Sequence, residues 1–365
     1  MATMTSASSD EILYMNYMKF FGILYLLIWH TAIKGLNVFV ISFFLQMFFF
    51  VSGYFYKEMY SDNPLVFIRK RIKTLYVPFV VYCLIFLALN NLLVDIYIYN
   101  KDMYMPFNEI LNHLLGILTL ESNLQLTGAM WFVSSLFLSS VLFCCISGIL
   151  KKIVSVVGYH DKYESIRFLI IMSLFLGANY LSFVKVILPR YLDISLVLMF
   201  FYYLGFLYHK YEKQIQFNFF IALSSLFTIL ICIKYGFPQF AQRKYIDPSY
   251  VMVCGIAGIY FNIYISKLFA SCRRLEFVNY AGKNTMVVLA MHFLAFKLVS
   301  LIIIYAQNLP LELLSSFPVL KSANQGYRWL YVATGLLVPL AGKYLLDKGF
   351  CKTKQHLRSQ FGVPC

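Results

Sequence analysis

Residues 12–33 read ILYMNYMKFFGILYLLIWHTAI, twenty-two positions with one lysine, Lys19, and one histidine, His30. A run of about twenty mainly apolar residues, wound as a helix, crosses roughly 30 Å of hydrocarbon. A core helix of a soluble protein would show a polar face, and this run has none. The same kind of run recurs along the chain. It returns at Val38–Tyr56, Leu75–Leu93, Met130–Leu150, Ile166–Val184 and Ile194–Tyr208. Four more follow at Phe217–Ile233, Tyr250–Ile265, Thr285–Tyr305 and Trp329–Leu346. Backbone polar groups in hydrocarbon must bond within the segment, and these runs lack the alternation of barrel strands, so they predict helices. The expectation is an all-α integral membrane protein, a bundle of about ten transmembrane helices.

Composition agrees. Of the 365 residues 61% are hydrophobic and 13% are charged, and the mean hydropathy is +0.71. Soluble domains carry roughly 25% charged residues. The net charge of +15 does not point to nucleic acid, because the cations stand in short clusters between apolar spans, where they set orientation. With the N-terminus cytoplasmic, the inner linkers and tail hold twenty Lys and Arg and the outer linkers nine. That bias predicts both termini in the cytoplasm and an even number of spans. The eight cysteines form no CxxC pair and read as small apolar residues. The opening MATMTSASSD lacks the basic region of a secretory signal. Residues 1–11 therefore read as a flexible tail, 12–346 as the transmembrane domain and 347–365 as a cytoplasmic tail. Residues 94–129 form the longest outer linker, and the amphipathic NEILNHLLGILTL within it (108–120) is expected to lie flat at the outer interface.

An ionisable side chain inside a span is a functional candidate, because burying it in lipid costs several kcal/mol. Lys19 and His30 are eleven steps apart, about 20° around a helix and roughly 16 Å along it. They look into one groove at two depths, Lys19 nearer the cytoplasm. The plain alternative is a snorkelling lysine and an interfacial histidine beside Trp29. FFFVSGYFYKE (48–58) ends the second span with Ser52-Gly53, where backbones can approach closely, or where helices simply pack. FIRKRIKTLYVPF (67–79) places Arg69, Lys70, Arg71 and Lys73 before Pro78, as a topological anchor or a phosphate-binding rim. GAMWFVSSLF (128–137) puts Trp131 at the outer interface, and AGKNTMVVLAMHF (281–293) puts His292 two turns into the ninth span, where a core hydrogen-bonding role is equally open.

In order and spacing these pieces resemble the membrane-bound acyltransferase-3 family, especially its fucose 4-O-acetylase-like branch. The resemblance rests on Lys19-x10-His30, FFFVSGYF, KRIKTLYVPF, MWFVSSLF and NTMVVLAMHF, and extends over about residues 12–346. This chain has Lys19 where many members have Arg, Thr74 and Val77 where the branch often has Arg and Ile, and Met291 before its late histidine. The resemblance implies O-acyl transfer, usually acetyl, from cytoplasmic acetyl-CoA as donor substrate to a hydroxyl of a cell-surface polysaccharide or its lipid-linked precursor. It implies a protein of the bacterial cytoplasmic membrane and no metal. His30, Lys19 and His292 would be catalytic. Arg69, Arg71, Lys73, Ser52, Gly53 and Tyr54 would hold the donor, and Trp131 the acceptor. A neutral imidazole suits the task of taking a hydroxyl proton, although no span offers a carboxylate to orient it, and an acyl-histidine step is also open. The alternative is a polytopic transporter or flippase. Midplane carboxylates and paired broken helices would mark one, and the carboxylates here lie almost all in linkers. Partners expected are acyl-CoA, a glycan acceptor and the bilayer, with homo-oligomerisation left open.

Overall fold

The computed structural model describes residues 9–272 and 275–360. Residues 1–8, Arg273, Arg274 and 361–365, which carry parts of both expected tails and two of the inner cations, lie outside the described residues.

Each expected span falls on a helix. In chain order these are α1 (Ser9–Thr31), α2 (Leu36–Tyr54), α3 (Pro64–Ala88), α4 (Trp131–Val157), α5 (Tyr163–Phe183) and α6 (Leu192–Tyr211). Then come α7 (Phe219–Cys232), α8 (Pro248–Cys272), α9 (Thr285–Ala306) and α10 (Gln325–Gln360). Among the described residues there is no β-strand, only one bridge between Gln239 and Lys244. Nine of the ten helices are long and apolar enough to cross a bilayer. The exception, α7, has 14 residues, about 21 Å at 1.5 Å per residue. The ends differ from expectation in places. Helix α1 already begins at Ser9 and α10 runs on through Gln360.

Helix α1 occupies the centre, packed against α2, α8, α9 and α10. The closest crossing is that of α2 on α6. A Cβ on Gly53 would stand 1.8 Å from the carbonyl oxygen of Tyr202, and one on Gly205 1.9 Å from that of Phe50. Two glycines on facing helices thus let the backbones touch at two points, the use to which small residues are put in membrane helices. α2 is interrupted at Ser42–Phe43. α3 carries a π-helical turn at Ile72–Tyr76. Its cause lies in the sequence: Pro78 has no N–H to give to Thr74, so the normal ladder fails one turn earlier and the helix widens there. The basic segment therefore lies inside α3, not ahead of it.

Polar bonds between linkers fall into two sets. At the end carrying Ser9, Glu212 accepts from Tyr14 (2.7 Å), Tyr54 (2.7 Å) and Lys267 (2.7 Å), and Asn16 donates to Asn279 (2.8 Å). Arg167, fully buried, pairs there with Glu58 and Glu164. At the opposite end Arg328 donates to Thr31 O (2.5 Å), Arg243 pairs with Asp193 (2.5 Å) and Arg190 with Glu121. Each set joins only linkers that ten alternating crossings would place on one side. Glu212 and Arg243 flank α7 and belong to different sets, so this short helix also traverses the bundle.

The 108–120 stretch departs from expectation. Its helix, Phe107–Leu118, packs along α3, and Leu118 O accepts from Tyr76 OH (2.8 Å), near the middle of α3. It therefore runs down the side of the bundle and does not lie flat. Leu111, Leu115 and Leu118 remain exposed on its flank, which lets it enter the apolar layer.

Candidate functional site

Two cavities meet along α1. The first, on the half nearer Ser9, is lined by Lys19, Phe48, Ser52, Arg71, Phe132 and Met286, among others. The second, nearer Lys34, is lined by Trp29, His30, Trp131, Phe132, Gln239 and Gln242, among others. Phe132 borders both. Its ring stands edge-on to Phe48 (5.2 Å between centroids) and Phe49 (5.6 Å), and it is common to the walls of both spaces. The spacing of Lys19 and His30 explains why one helix serves both cavities: eleven residues return to the same face roughly 16 Å further along.

In the first cavity the Lys19 ammonium makes no hydrogen bond or ion pair among the described residues, although the side chain is largely enclosed. A cation held in an apolar groove without a partner is costly, and an anionic or strongly polar ligand would offset that cost. Arg71 enters from α3. It donates to Ser52 Oγ (2.9 Å) and Tyr202 OH (3.0 Å), and its guanidinium lies over the Phe67 ring at 4.8 Å. Arg69 and Lys73 are exposed and do not line this cavity. Arg69 and Lys73 each stand two residues from Arg71, and since a helix turns about 100° per residue, two steps send Arg71 to the side opposite both. Of the Ser52-Gly53-Tyr54 trio, only Ser52 lines the cavity. Gly53 is the contact of α2 with α6, and Tyr54 OH is spent on Glu212.

In the second cavity His30 is half-buried and makes no hydrogen bond to the protein among the described residues. Among the described residues no carboxylate lines this cavity. Its neighbour is His292, with ring centroids 5.2 Å apart, and Phe293 lies edge-on at 4.7 Å. His292 is fully buried and lines neither cavity. Its Nδ1 lies 2.9 Å from Leu289 O and 3.1 Å from Val288 O. Carbonyls only accept, so Nδ1 carries the proton, and Nε2 is buried without a partner. His292, for which the sequence leaves both a catalytic and a core hydrogen-bonding role open, thus stands behind His30. Trp131 lines the cavity where expected and packs on Tyr191 (6.1 Å).

Four residues of this site were not singled out in the sequence. Phe132 is one more aromatic in an apolar run, and Tyr202 lies in the middle of a span. Gln239 and Gln242 stand in FPQFAQRKY (237–245), a linker without periodicity. The one available cue was that two neutral amides in a short aromatic linker are unusual company for its cations.

The sequence model of the acyltransferase-3 family, described as an acyltransferase domain, matches residues 12–344. No curated protein and no solved structure matches the chain.

Proposed function

The chain belongs to the acyltransferase-3 family and is a multi-pass membrane acyltransferase, and from that premise we propose that it moves an acetyl group from cytoplasmic acetyl-CoA to a hydroxyl of a cell-surface glycan or its lipid-linked precursor. The observation that carries this reading is the division of labour along α1: Lys19 in one cavity and His30 in the next, each without a hydrogen-bond or ionic partner among the described residues, and Phe132 lining both. The Ser9 end is the cytoplasmic one, in a bacterial inner membrane.

In this reading the phosphates of the donor lie at the mouth of the first cavity, near the cationic flank of α3. Arg71, braced by Ser52 and Tyr202, and Lys19 draw the thiol arm inward. The thioester reaches the Phe132 junction, and the acceptor hydroxyl approaches from the second cavity. His30 takes the hydroxyl proton as the oxygen attacks the thioester carbon. The C–O bond forms, the C–S bond breaks, and the proton passes to the leaving thiolate. His292, fixed by two backbone carbonyls, makes no hydrogen bond to His30 but packs against its ring and limits how it can turn. Gly53 and Tyr54 support the site through the α2–α6 contact and Glu212, and Arg69 and Lys73 act only at the outer rim.

The test uses the purified full chain in lipid nanodiscs with acetyl-labelled acetyl-CoA. Saturable binding and transfer of label to envelope glycan are the expected results. Absence of both binding and thioester consumption would remove the reading.

A further inference from the structure

The second cavity has a chemical character of its own. Trp29 and Trp131 present indole rings, each steadied by a neighbour: Phe237 edge-on to Trp29 at 5.8 Å, and Tyr191 beside Trp131 at 6.1 Å. The wall opposite α1 is the segment 239–242. It is a built strap. Gln239 N donates to Lys244 O (2.7 Å) and Lys244 N to Gln239 O (3.2 Å). Phe240 is buried against Tyr245 (5.3 Å), Arg243 is tied to Asp193 (2.5 Å), and Ser182 Oγ donates to Arg243 O. So anchored, the strap gives the side chains of Gln239 and Gln242 to the cavity, and neither amide makes a side-chain hydrogen bond among the described residues.

Charge is missing from this wall. Besides His30, no ionisable side chain among the described residues lines the cavity. Four of the cations at this end are engaged elsewhere: Arg243 on Asp193, Arg190 on Glu121, Arg328 on the carbonyls of Thr31 and Ala32, and Lys297 on those of Leu314 and Ser316, while Lys34 and Lys244 are exposed and do not line the cavity. A carboxylate brought into this space would lose water and find no lysine or arginine in the cavity wall to pair with. Hydroxyls, by contrast, would find amides that both donate and accept, and the apolar face of a sugar ring would find indoles.

We infer that this cavity is the acceptor site and that it selects an uncharged sugar ring, held by the Gln239 and Gln242 amides against Trp29 and Trp131, while excluding uronic and other acidic sugars. The inference rests on the acetyl-transfer reading above and deepens it. The reacting hydroxyl is the one turned to His30.

The experiment measures acetyl transfer by the full chain in nanodiscs from acetyl-CoA to two sets of methyl glycosides. One set contains neutral hexoses and 6-deoxyhexoses, the other the matching hexuronic acids. Transfer to at least one neutral glycoside, about tenfold or more above its acidic counterpart, is the expected result. Gln239→Ala and Gln242→Ala should each raise the acceptor KM by about tenfold, the loss of a hydrogen bond or slightly more, and leave the acetyl-CoA KM unchanged. Equal or better transfer to the uronic acids overturns the selection for neutral sugars while leaving acetyl transfer standing. Consumption of acetyl-CoA with no glycoside acetylated also overturns it, because the acceptor is then not a sugar. A protein that neither binds nor consumes acetyl-CoA sinks the parent reading itself. Gln variants that insert and bind acetyl-CoA normally but keep the parent acceptor KM remove the strap from the site.

Discussion

His30 and Lys19 lie on one face of α1 but in different cavities, so their loss should be felt in different ways. His30→Ala should insert normally, keep acetyl-CoA binding and lose transfer by about 10²–10⁴-fold, the usual contribution of a general base. Transfer above a tenth of the parent rate in the purified variant would show that His30 is not the base. Lys19→Ala should lower transfer through donor placement, and excess acetyl-CoA should partly restore it. A second prediction separates the cations of α3. Only Arg71 lines the cavity, while Arg69 and Lys73 point away. Arg71→Ala should weaken acetyl-CoA binding about tenfold or more, as the loss of a charge-assisted hydrogen bond would. Arg69→Ala and Lys73→Ala should change it little at moderate salt. A titration in which all three variants lose affinity equally would return the segment to a single phosphate-binding rim. At this scale the sequence was legible for groups that are chemically out of place in lipid: Lys19, His30 and His292 each stood out as polar in an apolar run, and Arg71 as one of a basic cluster before a proline. It was not legible for Phe132 or Tyr202, which are typical of their surroundings and gain their roles only through what faces them.

Helices were readable where apolar length alone defines them, and all ten expected spans fall on helices. Their interruptions were harder. Pro78 announces a defect in α3, but the π-helical turn at Ile72–Tyr76 is one of several ways to absorb it. The helix Phe107–Leu118 shows an apolar face that suits an interface as well as the flank of α3, and amphipathicity does not distinguish the two. The SG pair at residues 52–53 presented another ambiguity, and the structure divides it: Ser52 turns to the cavity and Gly53 to α6. Gly205 completes that crossing from the other helix. Gly205→Ala would put a methyl group 1.9 Å from Phe50 O, and backbone cannot yield as a side-chain tip can. The variant should lose about 1–3 kcal/mol of stability or more, seen as a lower midpoint of thermal unfolding in nanodiscs. Gly177→Ala, where a Cβ meets nothing within 4 Å, is the control and should be neutral. Equal midpoints for the two variants would mean that the α2–α6 contact is loose.

On the scale of the molecule, charge bias predicted an even number of crossings, and the polar bonds at the helix ends agree with ten. Twenty cations against nine argues for an even count. The polar pairs argue from geometry: Glu212 gathers Tyr14, Tyr54 and Lys267 at one end, while Asp193 and Arg243 close the other. The weak point is α7, which at 14 residues spans about 21 Å, short of the roughly 30 Å core. If α7 merely dipped into the bilayer, Lys213 and Lys234 would lie on one side, and every later linker would change face. The second cavity would then lose its strap to the wrong end, because residues 239–242 follow α7 directly. The bundle avoids this by local means. Lys213 sits beside Glu212 at the Ser9 end, and Lys234 leads into the segment tied to Asp193. A short helix is tolerated because a thinner or locally deformed bilayer costs only fractions of a kcal/mol per ångström of mismatch. Single cysteines at positions 213 and 234, in a background without the native cysteines, should therefore react with a membrane-impermeant maleimide from opposite sides of sealed vesicles. Cysteines at positions 101 and 152 mark the two faces, 101 reacting with 234 and 152 with 213. Labelling of 213 and 234 from the same side would leave nine crossings, separate the termini across the membrane, and detach the Gln239–Gln242 strap from the site it is here assigned to complete.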